Sequence, residues 1–377
     1  MKMPKKWPFY SEACIKEVSA LLREGGSLSA YRANKDWGTG PKEGSQAYRL
    51  EREIEKKFNV KHAVACNSGT AALFLALKAI GIEGKEVITS PYTFSATPAA
   101  IIHAGGTPIF ADVDPDNFCI TAETVKPYVN KKTAAILPVH LFGYFQELTE
   151  LLSLGVPVVE DACQAVGAVR GNAYAGCVGA AGAYSFNGGK NVPAGEGGCL
   201  ATNDNGFAGE ARTLLNHAEN FGESYVGYNG RIQEVVACIA RHGLKELDKR
   251  NEHRRSLVYD FRGRTGRHGA LVANYSKGPE HVFYVFPEVF NASYYGVHRE
   301  GFCHDARLRG VDVTGGYITP PLHHYRAFRG FANRPLPIVD WLSFNSLVLF
   351  NGFTPGATPK DVRGWAKTTS NLFDSRI

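Results

Sequence analysis

The sequence predicts an α/β fold: a mostly parallel, seven-stranded sheet flanked by helices, with a smaller C-terminal α+β domain. Short apolar runs of strand length recur through the first 200 residues, and segments of helical periodicity separate most of the earlier runs. This alternation of strand and helix is typical of a parallel sheet that is covered on both faces. With 377 residues, the chain is long enough for one large and one smaller domain.

The predicted elements can be placed along the chain in order. A polar, irregular stretch to about residue 45 contains one helix near Ser11–Arg23, and a second helix is expected over Tyr48–Phe58. Seven apolar runs are the predicted strands: His62–Cys66, Glu86–Thr89, Pro108–Val113, Ala134–Val139, Val156–Asp161, Ala181–Phe186 and Cys199–Thr202. The helices between the earlier strands are Thr70–Ile80, Phe94–His103, Thr121–Val129 and Gln146–Leu154. Because ligands of such sheets lie outside the carboxyl ends of the strands, the residues that follow each strand are the functional candidates.

The C-terminal third has a different pattern. One long helix is predicted over Arg231–Asp260, followed by short strands such as Val282–Phe286 and a last helix near Pro359–Leu372. We therefore expect a large domain with an N-terminal arm over residues 1–250 and a small C-terminal domain over residues 251–377.

The composition is that of an ordinary globular protein, with 44% hydrophobic and 21% charged residues. A net charge of +6 slightly favours anionic ligands and is too small to indicate nucleic acid as a partner. Basic residues concentrate over Lys249–His268. This run is either a phosphate or nucleic-acid patch or a solvated helix face, and the second interpretation is favoured.

The eight cysteines show no Cys-x-x-Cys pair and no metal-like spacing with histidine. We therefore expect reduced thiols, no metal site and a cytoplasmic protein. The N-terminal sequence MKMPKKWPFY lacks the apolar core of a signal peptide, and no apolar run reaches membrane-spanning length. A membrane is accordingly not expected among the partners.

A single lysine stands among glycines near the end of the sixth predicted strand. Residues 181–202 read AGAYSFNGGKNVPAGEGGCLAT, so that Lys190 follows Asn187-Gly188-Gly189. Glycine permits close approach of the backbone to a ligand, and a lysine shielded from water can act as a nucleophilic amine, including in a Schiff base. The alternative is a solvated loop lysine, so this interpretation depends on partners elsewhere in the chain.

Two other strand ends carry groups that suit a phosphorylated ring. Asn67-Ser68-Gly69-Thr70 follows the first strand and begins a helix, whose free N–H groups and dipole favour a phosphate. Ser68, Gly69 and Thr70 are therefore candidate phosphate ligands, with ordinary helix capping as the alternative. Phe94 follows the second strand and can stack on a flat ring or pack in the core.

The fifth predicted strand ends in a carboxylate, Asp161. A carboxylate buried there is costly unless it pairs with a cation such as a protonated pyridine nitrogen; the alternative is a helix cap. His140, which ends the fourth strand, is either a ring neighbour or a structural histidine. Together, a phosphate cradle, a ring stacker, a buried aspartate and an activated lysine are the parts that pyridoxal 5'-phosphate (PLP) requires.

Six motifs carry a resemblance to a known family. NSGTAAL, PYTFSAT, LPVHLFG, VEDACQA, SFNGGKN with AGEGG, and GYNGRIQEVVA occur in the order and spacing of the DegT/DnrJ/StrS family. The sequence thus resembles the fold-type-I, PLP-dependent aminotransferases that act on nucleotide sugars and related rings. The resemblance is strong over residues 45–260 and weak in the C-terminal third.

The resemblance implies roles around the cofactor ring. Lys190 would carry the cofactor as an imine, and Asp161 would pair with the pyridine nitrogen. Gln164 would approach the ring hydroxyl, and Phe94 would cover the ring. Lys190 and Asp161 are therefore the implied catalytic residues.

The resemblance also implies phosphate ligands and a quaternary structure. Gly69, Thr70 and Ser185 would hold the phosphate. Asn229, within the motif Gly-x-Asn-x-Arg, would reach the phosphate of the neighbouring subunit, so a homodimer with shared active sites is expected.

The implied function is transfer of an amino group from glutamate or glutamine to a keto sugar, expected to be nucleotide-linked. Asn187-Gly188-Gly189 before the lysine instead resembles the cyclitol and aminohydroxybenzoate branch, whereas Pro320-Pro321-Leu322-His323 resembles the sugar branch. A cyclitol or aminohydroxybenzoate-type aminotransferase is therefore the main alternative. A PLP-dependent sugar dehydratase and a non-enzymatic ligand-sensing regulator are less favoured, because the lysine is present and no separate DNA-binding module is evident.

Overall fold

The computed structural model describes residues 7–25, 27–29, 31, 40–218, 226–266, 269–272 and 278–374. Its strands, in chain order, are β1 (His62–Cys66), β2 (Glu86–Thr89), β3 (Thr107–Phe110), β4 (Thr133–Ile136), β5 (Val159–Asp161), β6 (Val169–Arg170), β7 (Ala173–Tyr174), β8 (Ala181–Ser185), β9 (Gly198–Thr202), β10 (Leu271–Val272), β11 (Phe286–Phe290), β12 (Val313–Gly315) and β13 (Leu347–Phe350). All seven strand predictions therefore coincide with a strand, most of them shortened by one to three residues at an end.

The α-helices are α1 (Glu12–Glu24), α2 (Gln46–Phe58), α3 (Gly69–Ile80), α4 (Ala96–His103), α5 (Ala122–Val125), α6 (Thr149–Leu152), α7 (Asn205–Leu215), α8 (Glu234–Lys245), α9 (Leu247–Thr265), α10 (Ala292–Tyr295), α11 (Arg299–Leu308), α12 (Pro337–Trp341) and α13 (Pro359–Asp374). The first three helices each begin after a serine whose hydroxyl accepts a hydrogen bond from a backbone N–H of the first turn: Ser11, Ser45 and Ser68. Such caps satisfy N–H groups that have no partner within the helix, which is why the helices start where they do.

The strands of the first 202 residues form a mixed α/β arrangement. One four-stranded sheet has the order β1-β9-β8-β5, and a three-stranded sheet has the order β3-β2-β4. Isolated parallel bridges from Ile136 to Val158 and from Val139 to Asp161 connect the two sheets. Strands β5 and β8 are parallel, whereas β9 is antiparallel to both of its neighbours. The carboxyl ends of β1, β2, β5 and β8 therefore lie at one edge.

The antiparallel position of β9 has a simple cause. A parallel neighbour requires a long crossover, usually a helix, whereas β8 and β9 are joined by a short glycine-rich connection without one. That connection contains Lys190, and a few residues after the lysine the chain turns back into the sheet as β9.

A second, antiparallel sheet of order β10-β11-β13-β12 lies in the C-terminal part of the chain. It has its own apolar cluster, in which Phe261, Phe286, Phe302 and Phe350 are fully buried. The long helices α9 and α13 pack against each other beside this cluster.

Four predicted elements differ from the structure. The helix predicted over Gln146–Leu154 is a single turn, α6 (Thr149–Leu152). The single helix predicted over Arg231–Asp260 is two helices, because the chain bends at Glu246 between α8 and α9. The helix predicted over Thr121–Val129 is the short α5 followed by a 3₁₀ turn. This turn contains Pro127, which has no backbone N–H to extend an α-helix. The strand predicted over Val282–Phe286 begins only at Phe286, because Phe283 has a φ of 45°.

The basic run contributes less free positive charge than its composition indicates. Of its residues, 249–266 are described and 267–268 lie outside the described residues. Arg250 and Arg254 are buried, and Arg254 donates to the carbonyl oxygens of Phe283 and Tyr284. Three further arginines form ion pairs with acidic residues: Arg255, Arg262 and Arg264. This disposition favours the structural interpretation of the run.

All eight cysteines are free thiols. None of the described helices is both long enough and apolar enough to cross a membrane.

Candidate active site

The candidate site residues converge on one cavity, at the edge where the carboxyl ends of β1, β2, β5 and β8 lie. This cavity has a volume of about 230 Å³. Eight of the nine predicted residues line it: Ser68, Gly69, Thr70, Phe94, Asp161, Gln164, Ser185 and Lys190. They come from the ends of β1, β2, β5 and β8, as expected for the carboxyl edge of a largely parallel arrangement.

The start of α3 supplies a ready-made anion site within the cavity. The Ser68 hydroxyl accepts from the backbone N–H of Ala71 at 3.0 Å and so caps the helix. The N–H groups of Gly69 and Thr70, in the first turn, have no partner inside the helix. They lie where the helix dipole favours negative charge, close to Ser185.

Gly69 is required by close packing at this point. A Cβ atom there would lie 2.7 Å from Cys163 Sγ and 2.9 Å from Ser185 Cβ. Any larger residue would therefore push the helix start away from β8 and out of the cradle.

Asp161 is a buried carboxylate with neutral partners. Its side chain is 5% exposed; Oδ2 accepts from Thr97 Oγ1 at 2.8 Å, and Oδ1 accepts from the Cys163 N–H at 3.2 Å. Because Thr97 donates to Asp161, Thr93 must donate to Thr97 across the 2.9 Å hydroxyl contact. Among the described residues, no lysine, arginine or histidine forms an ion pair with Asp161. A carboxylate in this setting suits a cationic ligand atom.

The adjacent Glu160 shows the contrast. It points to the other side of the strand and accepts from the backbone N–H groups of Gly176, Val178 and Gly179. It also bonds His140 Nε2 at 2.8 Å. Groups of the protein thus occupy the hydrogen-bond acceptor sites of Glu160, whereas Asp161 keeps some acceptor sites for a ligand in the cavity.

His140 is a structural histidine. It is fully buried, and its Nδ1 accepts from the Gln146 N–H at 3.1 Å, which leaves the hydrogen on Nε2 to bond Glu160. Of the two interpretations left open by the sequence, the geometry favours this one.

Gln164 is held in a single orientation. Its Oε1 accepts from the Phe142 N–H at 2.8 Å, and its Nε2 donates to the Tyr317 hydroxyl at 3.0 Å. One amide hydrogen of Gln164 therefore remains for the cavity. Burial raises the pKa of Tyr317, and nearby Tyr284 raises it further, so the Tyr317 hydroxyl stays protonated and can donate.

Lys190 lies against an aromatic ring from the C-terminal part of the chain. Its Nζ is 4.1 Å from the centroid of the Tyr284 ring, and its backbone N–H donates to the Asn187 carbonyl at 2.9 Å. Burial raises the pKa of the neighbouring Cys163 thiol well above its ordinary value, and the charge of Asp161 adds to that effect. The thiol is therefore protonated, which leaves the Lys190 amine as the candidate nucleophile of the cavity.

Phe94 and Asn229 lie at the margins. Phe94 lines the cavity but is 57% exposed, an unusual position for a large apolar ring. Asn229 is exposed and does not line this cavity; its carbonyl oxygen accepts from Asn67 Nδ2 at 3.2 Å. The structure thus brings together eight of the nine predicted residues and leaves Asn229 outside the cavity of its own chain.

Tyr284 and Tyr317 are two of the site residues that sequence reasoning missed. Both lie in the C-terminal third, where no motif marks them, and only the packing of that region against the large sheet brings them to the cavity. Among the other histidines, His323 and His324 both bond Asp340 Oδ1, at 3.0 and 2.8 Å. That cluster lies outside the cavity, and the absence of a metal site stays a prediction.

The residues fit PLP on three structural grounds. The cradle at Gly69 is one that a Cβ would fill, the helix start offers N–H groups without a partner inside the helix, and Asp161 is buried with no ion pair to any residue that the structure describes. The cradle suits the phosphate, the aspartate suits the protonated ring nitrogen, and the lysine suits the aldehyde carbon.

Comparisons with known proteins identify the family of the chain. The sequence profile of the DegT/DnrJ/EryC1/StrS aminotransferase family matches residues 29–362. The chain is 37% identical over 220 residues to the pleiotropic regulatory protein of Geobacillus stearothermophilus. This match covers 56% of this chain and 59% of that protein. It is 32% identical over 314 residues to the UDP-N-acetyl-3-dehydro-alpha-D-glucosamine 3-aminotransferase of Acidithiobacillus ferrooxidans, covering 81% and 83%. The X-ray structure of an aminotransferase from Psychrobacter cryohalolentis superimposes with a TM-score of 0.88 at 24% identity, covering 99% of this chain and 100% of that chain.

The fold, the cavity and the comparisons together identify the protein as an aminotransferase that uses PLP. The chain belongs to the DegT/DnrJ/EryC1/StrS aminotransferase family.

Proposed function

We propose that this enzyme moves an amino group from glutamate or glutamine to a keto group on a nucleotide-linked sugar. The observation that carries the proposal is that a buried Asp161, with no ion pair among the described residues, shares one cavity with Lys190 and the start of α3. The sugar acceptor is supported by the name of the Acidithiobacillus relative. No arginine is among the described residues that line the cavity, so nothing there selects a second carboxylate-bearing substrate as the acceptor.

Each residue has a proposed task. Bound PLP supplies an electron sink for negative charge at the substrate carbon. Lys190 Nζ would hold the cofactor covalently in the resting enzyme; once the donor amine displaces it, the freed amine would carry the proton between the substrate carbon and the cofactor. Asp161 holds the proton at the ring nitrogen.

The remaining contacts hold the ring in place. The hydroxyl chain of Thr93 and Thr97 orients the Asp161 carboxylate. Gln164 directs one amide hydrogen at the ring hydroxyl, and Phe94 covers the ring from the open side. Ser68, Gly69, Thr70 and Ser185 bind the phosphate.

The test is a two-step assay on purified protein loaded with PLP. Glutamate or glutamine is expected to convert the cofactor to its amine form. The conversion is followed as the loss of the yellow absorbance of enzyme-bound PLP. UDP-N-acetyl-3-dehydro-α-D-glucosamine or a keto-inositol is then expected to restore that absorbance and to appear as an amine by mass spectrometry. Restoration by the keto-inositol alone would favour the cyclitol branch. Failure of the first step with both donors would contradict an aminotransferase using these donors.

We further infer that the enzyme is a homodimer with shared sites and that a division near residue 250 separates a large from a small domain. An apolar groove of about 450 Å³ adjoins the helix start and includes Phe74 and Val226. Val226 is 96% exposed, and Phe94, beside the cavity, is 57% exposed. Exposed apolar side chains clustered around a site favour burial by another copy of the chain. The separate C-terminal sheet and cluster support the division.

Complementation between two inactive variants is expected to report the shared site. In co-expressed Lys190→Ala and Asn229→Ala chains, one site of each mixed dimer keeps both residues, because Asn229 serves the partner's cofactor. Half of the dimers are mixed at random association, so about a quarter of the wild-type activity is expected. Activity of the mixture is measured against each variant alone.

The matched control is a mixture of Lys190→Ala with Asp161→Asn. These two residues line the cavity of one chain, so no mixed dimer contains an intact site and no activity is expected to return. Equal recovery in both mixtures, or none in the Asn229 mixture, would contradict the shared site.

A further inference from the structure

The cavity leaves little enclosed room for an acceptor ring beside the cofactor. Its volume of about 230 Å³ lies below the range of about 300–1,000 Å³ that is typical of ligand pockets. If PLP fills the cavity, as the proposed function requires, the acceptor ring must lie at the mouth. On the lysine side, Asn187, Lys190 and Glu196 line the cavity, and all three belong to residues 186–197, the connection between β8 and β9.

Two glycines of this connection are not required by the fold. At Gly189, a Cβ atom would lie 3.8 Å from Asn187 Oδ1 and 3.8 Å from the Tyr284 hydroxyl, which is ordinary contact. At Gly188, the nearest atom would be the Gly195 carbonyl oxygen at 3.9 Å. Neither residue has a positive φ. Alanine would fit both positions, and replacing such a glycine normally stabilises a protein by restricting the unfolded chain.

Other glycines nearby are different. Gly195 and Gly197 have φ values of 87° and 143°, and a Cβ at Gly198 would lie 2.4 Å from the Ser68 backbone. Those positions need glycine for backbone geometry or packing. Gly188 and Gly189 therefore need a reason outside the folding of the chain.

The space kept free at residue 189 borders the cavity. Asn187 and Tyr284, whose polar atoms a Cβ at 189 would contact, both line it, and so does Lys190. Gly189 itself is exposed. A side chain at this position would begin in contact with Asn187 and Tyr284, and the Tyr284 ring also contacts Lys190 Nζ.

We propose that the side-chain-free surface of Gly188 and Gly189 is where the sugar ring of the acceptor lies, so that residue 189 limits the size of the keto sugar the enzyme accepts. This inference rests on the proposed function. A slender amino-acid donor does not need this space, whereas a substituted sugar ring does. Asn187 and Glu196, joined by a 2.9 Å hydrogen bond, provide polar groups for ring hydroxyls at the same rim.

The test compares Gly189→Ala and Gly189→Leu with wild-type holoenzyme in separate half-reactions. With glutamate or glutamine, whichever the wild type uses, the rate of conversion of the cofactor is expected to change less than twofold. With the acceptor that the wild type uses, UDP-N-acetyl-3-dehydro-α-D-glucosamine or the keto-inositol, kcat/KM is expected to fall at least tenfold in Gly189→Leu and less in Gly189→Ala. Calorimetry of UDP-N-acetylglucosamine or myo-inositol, matched to that acceptor, gives a second readout in the absence of turnover, and its affinity is expected to fall in parallel.

Gly209 provides a matched control, because it lies on α7 away from the cavity and a Cβ there meets nothing within 4 Å. Gly209→Leu is expected to leave both half-reactions unchanged. Thermal unfolding of Gly189→Ala is expected at or above the wild-type temperature, which separates the effect from misfolding. Unchanged acceptor kinetics in Gly189→Leu, or an equal loss in both half-reactions, would overturn the inference. A wild-type protein that takes the amino group but passes it to neither acceptor would overturn the proposed function, and this inference with it.

Discussion

Replacing Lys190 with alanine is expected to abolish amino transfer, with a loss of kcat of about 10⁴-fold or more, since proton transfer alone contributes about 10²–10⁴-fold and the covalent attachment is lost as well. Lys190 is half-buried and contacts the Tyr284 ring through its Nζ, so its truncation leaves the core intact. The wild-type protein should become irreversibly labelled at Lys190 after borohydride reduction, and the variant should not. Both results are read by mass spectrometry of the digested protein and by the two-step assay.

Lys85→Ala is the control, because Lys85 is an exposed lysine at the far end of β2 and should affect neither labelling nor rate. Lys190→Arg keeps the positive charge beside Tyr284 but cannot form the covalent link readily, so it should be as inactive as alanine. Turnover by Lys190→Ala near the wild-type rate, or borohydride labelling at another lysine, would contradict the assignment.

The sequence was sufficient for the part of the site that strand ends present. Strands and the residues that follow them are adjacent in the chain, so Ser68, Asp161 and Lys190 could be placed at one edge once the α/β alternation was recognised. Local rules also located the helix start at Gly69, where a serine cap and a glycine occur together.

Contacts between distant parts of the chain could not be predicted in this way. Tyr284 and Tyr317 reach the cavity only through the docking of the C-terminal part, and neither position has a periodic or motif signal. Likewise, the break at Glu246 lies inside a sequence that is helical on both sides, so no local signal marks it. The roles assigned to all of these residues stay predictions until the variants are measured.

Replacing Asp161 with asparagine is expected to lower amino transfer roughly 10- to 1,000-fold, because a nearby opposite charge changes a pKa by about 1–3 units and the proton on the ring nitrogen loses that support. The local structure can adapt: asparagine Oδ1 can accept from the Cys163 N–H, and its Nδ2 can donate to Thr97, whose hydroxyl then donates to Thr93. The variant should therefore fold and bind PLP, and its remaining activity should rise as the pH is lowered, because solvent then protonates the ring nitrogen.

The cofactor-free protein gives a second, opposite readout. Without PLP, Asp161 is a buried carboxylate that has hydrogen-bond partners but no ion pair among the described residues, and this costs folding free energy. Apo Asp161→Asn should thus unfold at or above the wild-type temperature. Glu160→Gln is the contrasting control. Its amide NH₂ would face backbone N–H groups that now donate to Glu160, so the free energy of unfolding is expected to fall by about 1–3 kcal/mol. Near-normal turnover by Asp161→Asn, or apo Asp161→Asn as unstable as Glu160→Gln, would contradict a carboxylate kept in place for a cationic ring.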